Sequence, residues 1–594
     1  MDLTFLGGAT TVTGSQYLLT TERARVLIDC GMFQGMPNES IRNRIPPEYD
    51  PKTLDAVLLT HAHLDHCGLL PLLVREGFGG PILTTMGTIE LATLVLLDSG
   101  RLHEEFAKRE ARWEKRHPDL VAADDAKEAQ QYQAAIDLAH KGDTIGAPDV
   151  PGAIGALGAP PASALPGVAP TAQPPSPPPA AGSLGFPVPL SGSMATGEHV
   201  PTVIEPLLPP AATFPDPEAD LRAKPPPLLI DLDAPLYTEA DATAVLPKFK
   251  PIEYGQELEV APGVHATFHD AGHILGSAMI RLRVQDRADS PERVIVFSGD
   301  LGRENAPIVR DPTVETSADY VLCESTYGGR EHDSQDEAVR ILAETIHMVA
   351  EAKGVLLVPS FAIGRTQEVV WQLDRLLEEG RIPMLPLFLD SPMASKATDV
   401  YRRHDEYYDD ETRKLFQSGA TPLDYPKQTV TNDIKQSQAI LGSPRPFMIV
   451  ASNGMLTGGR VVGHLRMLID DPDATILFVG YQGTGTLGSH LQQGATTVKL
   501  DGQVRQVRCK IRSISGFSSH ADEPGLLAWL GNFGRGATAS AGANQAADTG
   551  ATRKPQTIFL IHGDPEAQLA LAPKVEALGF NVRIPKWHER VTLD

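Results

Sequence analysis

At residues 54 to 66 the chain reads LDAVLLTHAHLDH, an apolar run leading straight into His61, His63, Asp65 and His66. Ionisable groups left unpaired in an interior cost several kcal/mol, so a buried strand that ends on such a cluster needs something to bind it. The arrangement recurs. VIVFSGD ends on Asp300, IFLIHGD carries His562 where its apolar run stops, and His273 lies in AGHILGSA. Buried strands rarely end repeatedly on ionisable groups unless those ends converge. The pattern therefore predicts a layered α/β fold with one polar centre at the strand ends.

The donors narrow the ligand. An extended segment puts His61 and His63 on one side, and the chain then turns into a helix bearing Asp65 and His66. Imidazole and carboxylate donors at this density suit Zn²⁺, whose catalytic sites use His with Asp or Glu and keep a position for water. Cys30, Cys67, Cys323 and Cys509 are far apart with no CxxC pair, which argues against zinc-knuckle and redox motifs and fits a reducing cytoplasm. Cys67, beside His66, is read as a small packing residue. The start, MDLTFLGGATTVTGSQYLL, lacks a basic stretch followed by an apolar one, and no run of about 18 apolar residues follows. A soluble cytoplasmic protein with no membrane contact is expected.

Residues 1–100 alternate short strands and turns (LTFLGG, SQYLLTT, ARVLIDCG) with a helix, GLLPLLVREG. From 101 to 247 a charged, helix-favouring stretch, RLHEEFAKREARWEKRH, gives way to sequence such as GAPPASALPGVAPTAQPPSPPPAAG, which cannot bury enough apolar surface to form a core. An insertion, largely disordered, is predicted there, with His103, His117 and His140 as solvated side chains. Strand patterns return over 248–328. Between 329 and 494 strands alternate with helices, as in GVLLVPS before RTQEVVWQLDRLLEEG, which predicts a second domain built on a parallel sheet. Residues 495–594 resume strand and helix around a flexible small-residue loop at 534–554.

The motifs VLIDCG, HAHLDH, AGHILGSA, VFSGD, CESTYG, FSSHAD and LIHGD, in this order, resemble those of the metallo-β-lactamase superfamily and, within it, the β-CASP group of RNA-processing nucleases. HxHxDH by itself marks only the hydrolase superfamily; the last three motifs narrow the resemblance to β-CASP. It covers most of the chain outside the Pro-rich stretch. It implies an αββα sandwich carrying an inserted β-CASP domain, and two Zn²⁺ ions. His61, His63 and His273 are implied to hold one ion, Asp65, His66 and His562 the other, and Asp300 to bridge them. Asp29 is implied to accept a hydrogen bond from a ligand histidine and so fix its ring. The activity implied is hydrolysis of RNA phosphodiester bonds, internally or from the 5′ end, by two-metal activation of water with Asp65 and Asp300 at the centre. His520 is implied to be the general acid and Glu324 to hold its other N–H, leaving a 5′-phosphate and a 3′-hydroxyl. Single-stranded RNA is favoured over DNA because the family's RNA-directed members keep a histidine at the place of His562.

A formal net charge of -23, from 52 Lys plus Arg against 75 Asp plus Glu, supplies no global field for nucleic acid. Positive charge must be local or come from metal. In VPSFAIGRTQE and ASNGMLTGGRVVGH a strand runs through a loop into a helix start, where free N–H groups favour phosphate. Arg365 and Arg460 beside those loops, with Ser360, Ser452 and Lys396, are the expected phosphate contacts; they would set register, not sequence preference. Homo-oligomerisation, and a protein partner at the Pro-rich insertion, stay open. Two rival readings remain. A small-molecule hydrolase of the same superfamily is opposed by FSSHAD and the large second domain, and a zinc-stabilised RNA-binding scaffold by the full set of ligands.

Overall fold

In the computed structural model, which describes residues 1–35, 37–117, 121, 130–137, 234–483, 485–500, 502–535 and 552–594, the apolar runs become strands. Among these residues they form two seven-stranded sheets, a six-stranded sheet and a hairpin. The first sheet runs in the order Glu589–Thr592, Asp2–Gly7, Gln16–Thr20, Arg25–Ile28, Ala56–Leu58, Ile82–Thr84 and Phe249–Pro251. Its last four strands are parallel. Short apolar segments such as RVLI and AVL suit that place, because a parallel strand is covered on both faces. The second sheet runs Val582–Arg583, Thr557–Ile561, Tyr320–Glu324, Arg293–Phe297, Ala278–Val284, Val264–Asp270 and Glu257–Ala261. Thr557–Ile561, Tyr320–Glu324 and Arg293–Phe297 are parallel, and the remaining pairings toward Glu257–Ala261 are antiparallel.

These two sheets pack face to face. Leu3, Phe5, Val26 and Leu58 of one meet Phe268, Ile280, Phe297 and Phe559 of the other in a single buried cluster. The Phe5 and Phe559 rings lie 5.3 Å apart between centroids. Outside the first sheet, Leu70, Leu91, Leu96 and Val245 cover it from helices; outside the second, Leu526, Leu530, Leu571 and Val575 do the same. The result is the expected αββα sandwich. Phe5 is 0% exposed, and Phe5→Ala is expected to cost about 3–5 kcal/mol by opening a cavity between the sheets. Chemical denaturation measures this, and a loss under about 1 kcal/mol would contradict the packing.

The third sheet is parallel throughout: Gln428–Val430, Leu387–Asp390, Phe447–Ala451, Val355–Pro359, Ala474–Phe478 and Lys510–Ser513. Val369 and Leu373 pack on one side of it and Leu465 and Leu468 on the other. Its edge strand Lys510–Ser513 comes from beyond residue 494. The alternation of strands with helices is the expected second α/β layer, and all described residues belong to one compact unit.

Around residue 101 the chain continues one helix, Met86–Glu114, whose start is capped by Thr85 accepting from the Thr88 N–H at 3.2 Å. Its apolar face, with Leu91, Ala92, Val95 and Leu96 buried, ends near Gly100. There the helix Glu239–Val245 crosses closely enough that a Cβ on Gly100 would lie 2.7 Å from the Thr238 carbonyl. His103 is not solvated: its ring packs edge-on against Tyr237 at 4.7 Å, and burial lowers its pKa to about 4. The contact between the two helices places it there, which residue type alone does not reveal. The Pro/Ala-rich expectation falls largely on 138–233, with His140 inside it, and the small-residue loop largely on 536–551; both ranges lie outside the described residues. No described helix is long and apolar enough to cross a membrane.

Candidate metal centre

Parallel strands present their C-terminal ends along one edge, and there the polar ends of the apolar runs gather. Past Ala56–Leu58 come His61 and His63, and past Arg293–Phe297 comes Asp300. His61 Nε2 lies 3.1 Å from His63 Nδ1, and His273 Nε2 lies 3.2 Å from the same atom. Asp300 Oδ2 stands 3.4 Å from His61 Nε2 and 3.6 Å from His273 Nε2. On the other side of Asp300, its Oδ1 is 3.2 Å from His66 Nε2, which is 3.3 Å from His562 Nε2. Asp65 Oδ2 stands 3.5 Å from His562 Nε2. His61, His63, His273 and Asp300 thus form one group of donors, and Asp65, His66 and His562 a second.

These spacings fit metal ions better than hydrogen bonds. Donors about 2.0–2.1 Å from one tetrahedral ion stand roughly 3.3 Å from each other. Ring nitrogens facing one another cannot all find a proton to share. Asp300 Oδ1, buried, makes no hydrogen bond among the described residues. Burial holds His61 at about 3 and His63 at about 4, and drives His273 well below the ordinary imidazole range, so all three present lone pairs. Burial works against charge on Asp300 too, but the facing histidines outweigh it and keep the carboxyl well below its usual range.

Several of the remaining ring nitrogens are held from behind, whereas His63 Nε2 is buried without a partner among the described residues. His66 Nδ1 lies 2.7 Å from Asp29 Oδ2, and Asp29 also accepts from the Thr60 N–H at 2.8 Å and from the Thr60 hydroxyl. The Thr326 hydroxyl lies 3.2 Å from His562 Nδ1, and the Ser519 carbonyl 3.2 Å from His273 Nδ1. Such contacts set which nitrogen faces the centre. Thr60, Thr326 and Ser519 were not singled out in the sequence, though each adjoins or lies in a motif. Asp29 and His562 both take left-handed backbone, at φ 58 and 47. That costs of order 1–3 kcal/mol per residue and is kept where the surroundings dictate it. Cys67 stands outside both groups, buried, its thiol 3.5 Å from the Ala62 carbonyl.

Glu324 is fully buried and accepts from the Leu301 N–H at 2.9 Å and the Thr326 N–H at 3.1 Å. Its Oε1 is also 3.0 Å from His520 Nδ1, which leaves His520 Nε2 facing the centre, 3.8 Å from Asp300 Oδ2. Burial disfavours the imidazolium, but Glu324 and Asp300 outweigh it and raise the pKa of His520.

The expected phosphate contacts are placed differently from one another. Arg365 is enclosed beside this centre, bonded to Glu368 and to the Ser519 hydroxyl, while its Nε is buried without a partner among the described residues. Ser360 is buried, its hydroxyl accepting from Thr366. Ser452 donates to Ser391, and Lys396 is exposed. Arg460 turns into the third sheet, donating to Asp390 at 2.8 Å and to the carbonyls of Thr431 and Asn432. Asp390 also accepts from Ser437 at 2.5 Å and pairs with His464 at 2.6 Å. Burial opposes its charge, but His464, Ser437, Thr431 and Arg460 outweigh it and hold the carboxyl below the usual range. Asp390→Ala, which strands those partners, is expected to cost about 3–5 kcal/mol at pH 7. A depressed carboxylate stabilises above its unfolded pKa, about 3.9, and less as pH falls through the folded value. Urea midpoints at pH 7 and pH 3 should therefore show the penalty shrinking at the lower pH.

Comparison with known proteins gives the frame. The metallo-β-lactamase superfamily model matches residues 9–84, and the Beta-Casp domain model residues 366–491. The model of the Zn-dependent metallo-hydrolase RNA specificity domain matches residues 505–535 and 538–585. The chain belongs to the β-CASP group of the metallo-β-lactamase superfamily. Ribonuclease TTHA0252 of Thermus thermophilus is 28% identical over 98% of this chain and 98% of its own length. Transcription termination factor FttA of Methanosarcina mazei is 26% identical, and that of Methanothermobacter thermautotrophicus 27%, each over 96% of this chain and 68% of its own length. As a β-CASP protein this one is a metal-dependent hydrolase, and the His/Asp groups at its strand ends are the donor set that a divalent cation requires.

Proposed function

We propose that the chain is a zinc-dependent ribonuclease that hydrolyses phosphodiester bonds of single-stranded RNA. The observation that carries this reading is the His520–Glu324 pair, 3.0 Å apart, aimed at Asp300, whose two oxygens face the two donor groups. His61, His63 and His273 would hold one zinc ion and Asp65, His66 and His562 the other, with Asp300 reaching both; when bound, the pair supplies Lewis acidity that acidifies water and offsets phosphate charge.

The protein's own groups do the rest. Asp29, Thr60, Thr326 and the Ser519 carbonyl orient the donor rings, so that little reorganisation accompanies the reaction. Water adds to phosphorus, giving up one proton to solvent, as the bond to the 3′-oxygen breaks. His520 Nε2 gives its proton to that departing oxygen, which leaves as a 3′-hydroxyl, while the phosphate stays on the 5′ side. Glu324 keeps Nδ1 protonated and the ring aimed. Arg365, whose Nε has no partner among the described residues, is the phosphate contact best supported by its position. The relatives named ribonuclease and transcription termination factor support RNA as the polymer.

Purified protein incubated with 5′-labelled and 3′-labelled single-stranded RNA, with and without chelator, tests the reading. Chelator-sensitive cleavage is expected, with discrete fragments marking internal cuts and mononucleotides marking attack from an end. No cleavage by the zinc-loaded protein, alongside turnover of a lactam or ester, would replace this reading with a small-molecule hydrolase.

A further inference from the structure

Two guanidiniums close on one buried carboxylate where the parallel-sheet region meets the sandwich. Arg303, three residues after Asp300, pairs with Glu368; Arg365, in the first turn of the helix Arg365–Glu378, pairs with the other oxygen at 3.3 Å. The side chains of Arg303, Glu368 and Arg365 are 12%, 9% and 7% exposed. Two cations on one anion leave a net positive charge almost enclosed. Burying it is expensive, and such triads can often be replaced by apolar groups without loss of stability. Stability therefore gives little account of this one.

The bonds not directed at Glu368 show what it organises. Arg303 Nε donates to the Ser518 carbonyl at 2.9 Å, and one terminal nitrogen donates to Gln335 at 2.8 Å. Arg365 donates to the Ser519 hydroxyl at 3.2 Å. Both reach the turn that immediately precedes His520. On the far side of that turn Ala521 donates to the Leu301 carbonyl at 2.7 Å and His520 bridges Gly302 in the sandwich, while the His520 carbonyl lies 3.0 Å from His332 Nε2. The turn is thus held after His520 by the sandwich backbone together with His332, and before it by side chains that meet on a helix of the other region.

We propose that Arg303, Glu368 and Arg365 form a positioning triad that aims His520 Nε2 at the departing oxygen, so that proton donation depends on how the parallel-sheet region is seated. The proposal rests on His520 being the general acid. A group acting only through proton donation matters for RNA, whose 3′-alkoxide leaves poorly. It matters little for bis(p-nitrophenyl) phosphate, whose phenolate leaves without a proton.

Glu368→Gln, Arg303→Lys and His520→Ala, each loaded with zinc, are compared on both substrates, with zinc content and thermal midpoint measured alongside. Glu368→Gln and Arg303→Lys are expected to lower kcat on RNA by about 10–100-fold at nearly constant KM, and turnover of the activated diester by less than about threefold. Glu368→Gln placed on His520→Ala should add little further loss. Should Glu368→Gln fail to fold, Arg303→Lys carries the test, because it keeps the charge and gives up the bond to the Ser518 carbonyl. Parallel losses on both substrates in a folded, zinc-loaded triad variant, or no loss on either, would overturn the triad while leaving the acid role of His520 intact. Equal losses on both substrates in His520→Ala would overturn the acid role, and the triad with it.

Discussion

Asp300→Asn is expected to abolish most activity and to release metal, because its carboxylate stands between the two donor groups with one oxygen toward each. Its two oxygens lie 3.4 Å from His61 Nε2 and 3.2 Å from His66 Nε2, on opposite sides. An amide of the same shape keeps the packing, but one of its two ends becomes a donor that faces cations and lone pairs alike. A Lewis-acid contribution of several kcal/mol then goes, which corresponds to a fall in kcat of roughly three orders of magnitude. Metal per chain, measured by elemental analysis after gel filtration, should drop together with activity. The wild type, which gains stability from any ion that binds only its folded form, should show a thermal midpoint that chelator lowers, and the variant should show a much smaller chelator effect. Full metal content with less than about tenfold loss of turnover would remove Asp300 from the centre.

His520→Ala separates the proton donor from the metal site. The ring lies outside both donor sets, 3.8 Å from Asp300 through Nε2 and bonded through Nδ1 to Glu324. General acid catalysis contributes about 10²–10⁴-fold, so kcat on RNA should fall within that range while metal content stays at the wild-type value. Glu324→Gln should follow in the same direction with a smaller loss, since an amide can still orient the ring but no longer favours the imidazolium. Single-turnover cleavage of labelled RNA measures both. If His520→Ala instead sheds metal in proportion to activity, the histidine is a ligand and the departing oxygen takes its proton from elsewhere.

Much of the centre was legible before any coordinates, for a chemical reason. Histidines and aspartates at the ends of apolar runs are types that cannot be left alone in a core, so each announces a partner. His61, His63, Asp65, His66, His273, Asp300 and His562 meet within hydrogen-bonding or ligand distance of one another, and Glu324 meets His520. The sandwich was legible too, because continuous apolar strands require cover on both faces.

Other features depend on which distant segments touch. Arg460 and Arg365 read alike in sequence, each at a helix start after a loop that ends in Gly, yet Arg460 is drawn into the sheet by Asp390, 70 residues away, whereas Arg365 stays beside the centre with its Nε unpartnered among the described residues. Glu368 reads as an ordinary charge in a helix; only the approach of Arg303 across 65 residues makes it the hub of a buried triad. Lys510–Ser513 reads as a strand, but its place at the edge of the third sheet is set by pairing with Ala474–Phe478. By itself the sequence determined which residues had to converge and what they could bind, since desolvation penalises those groups wherever they are buried. Only the tertiary structure decided which cations are already paired and how the turn bearing His520 is gripped, because those outcomes rest on contacts between segments whose spacing in the chain carries no local signal.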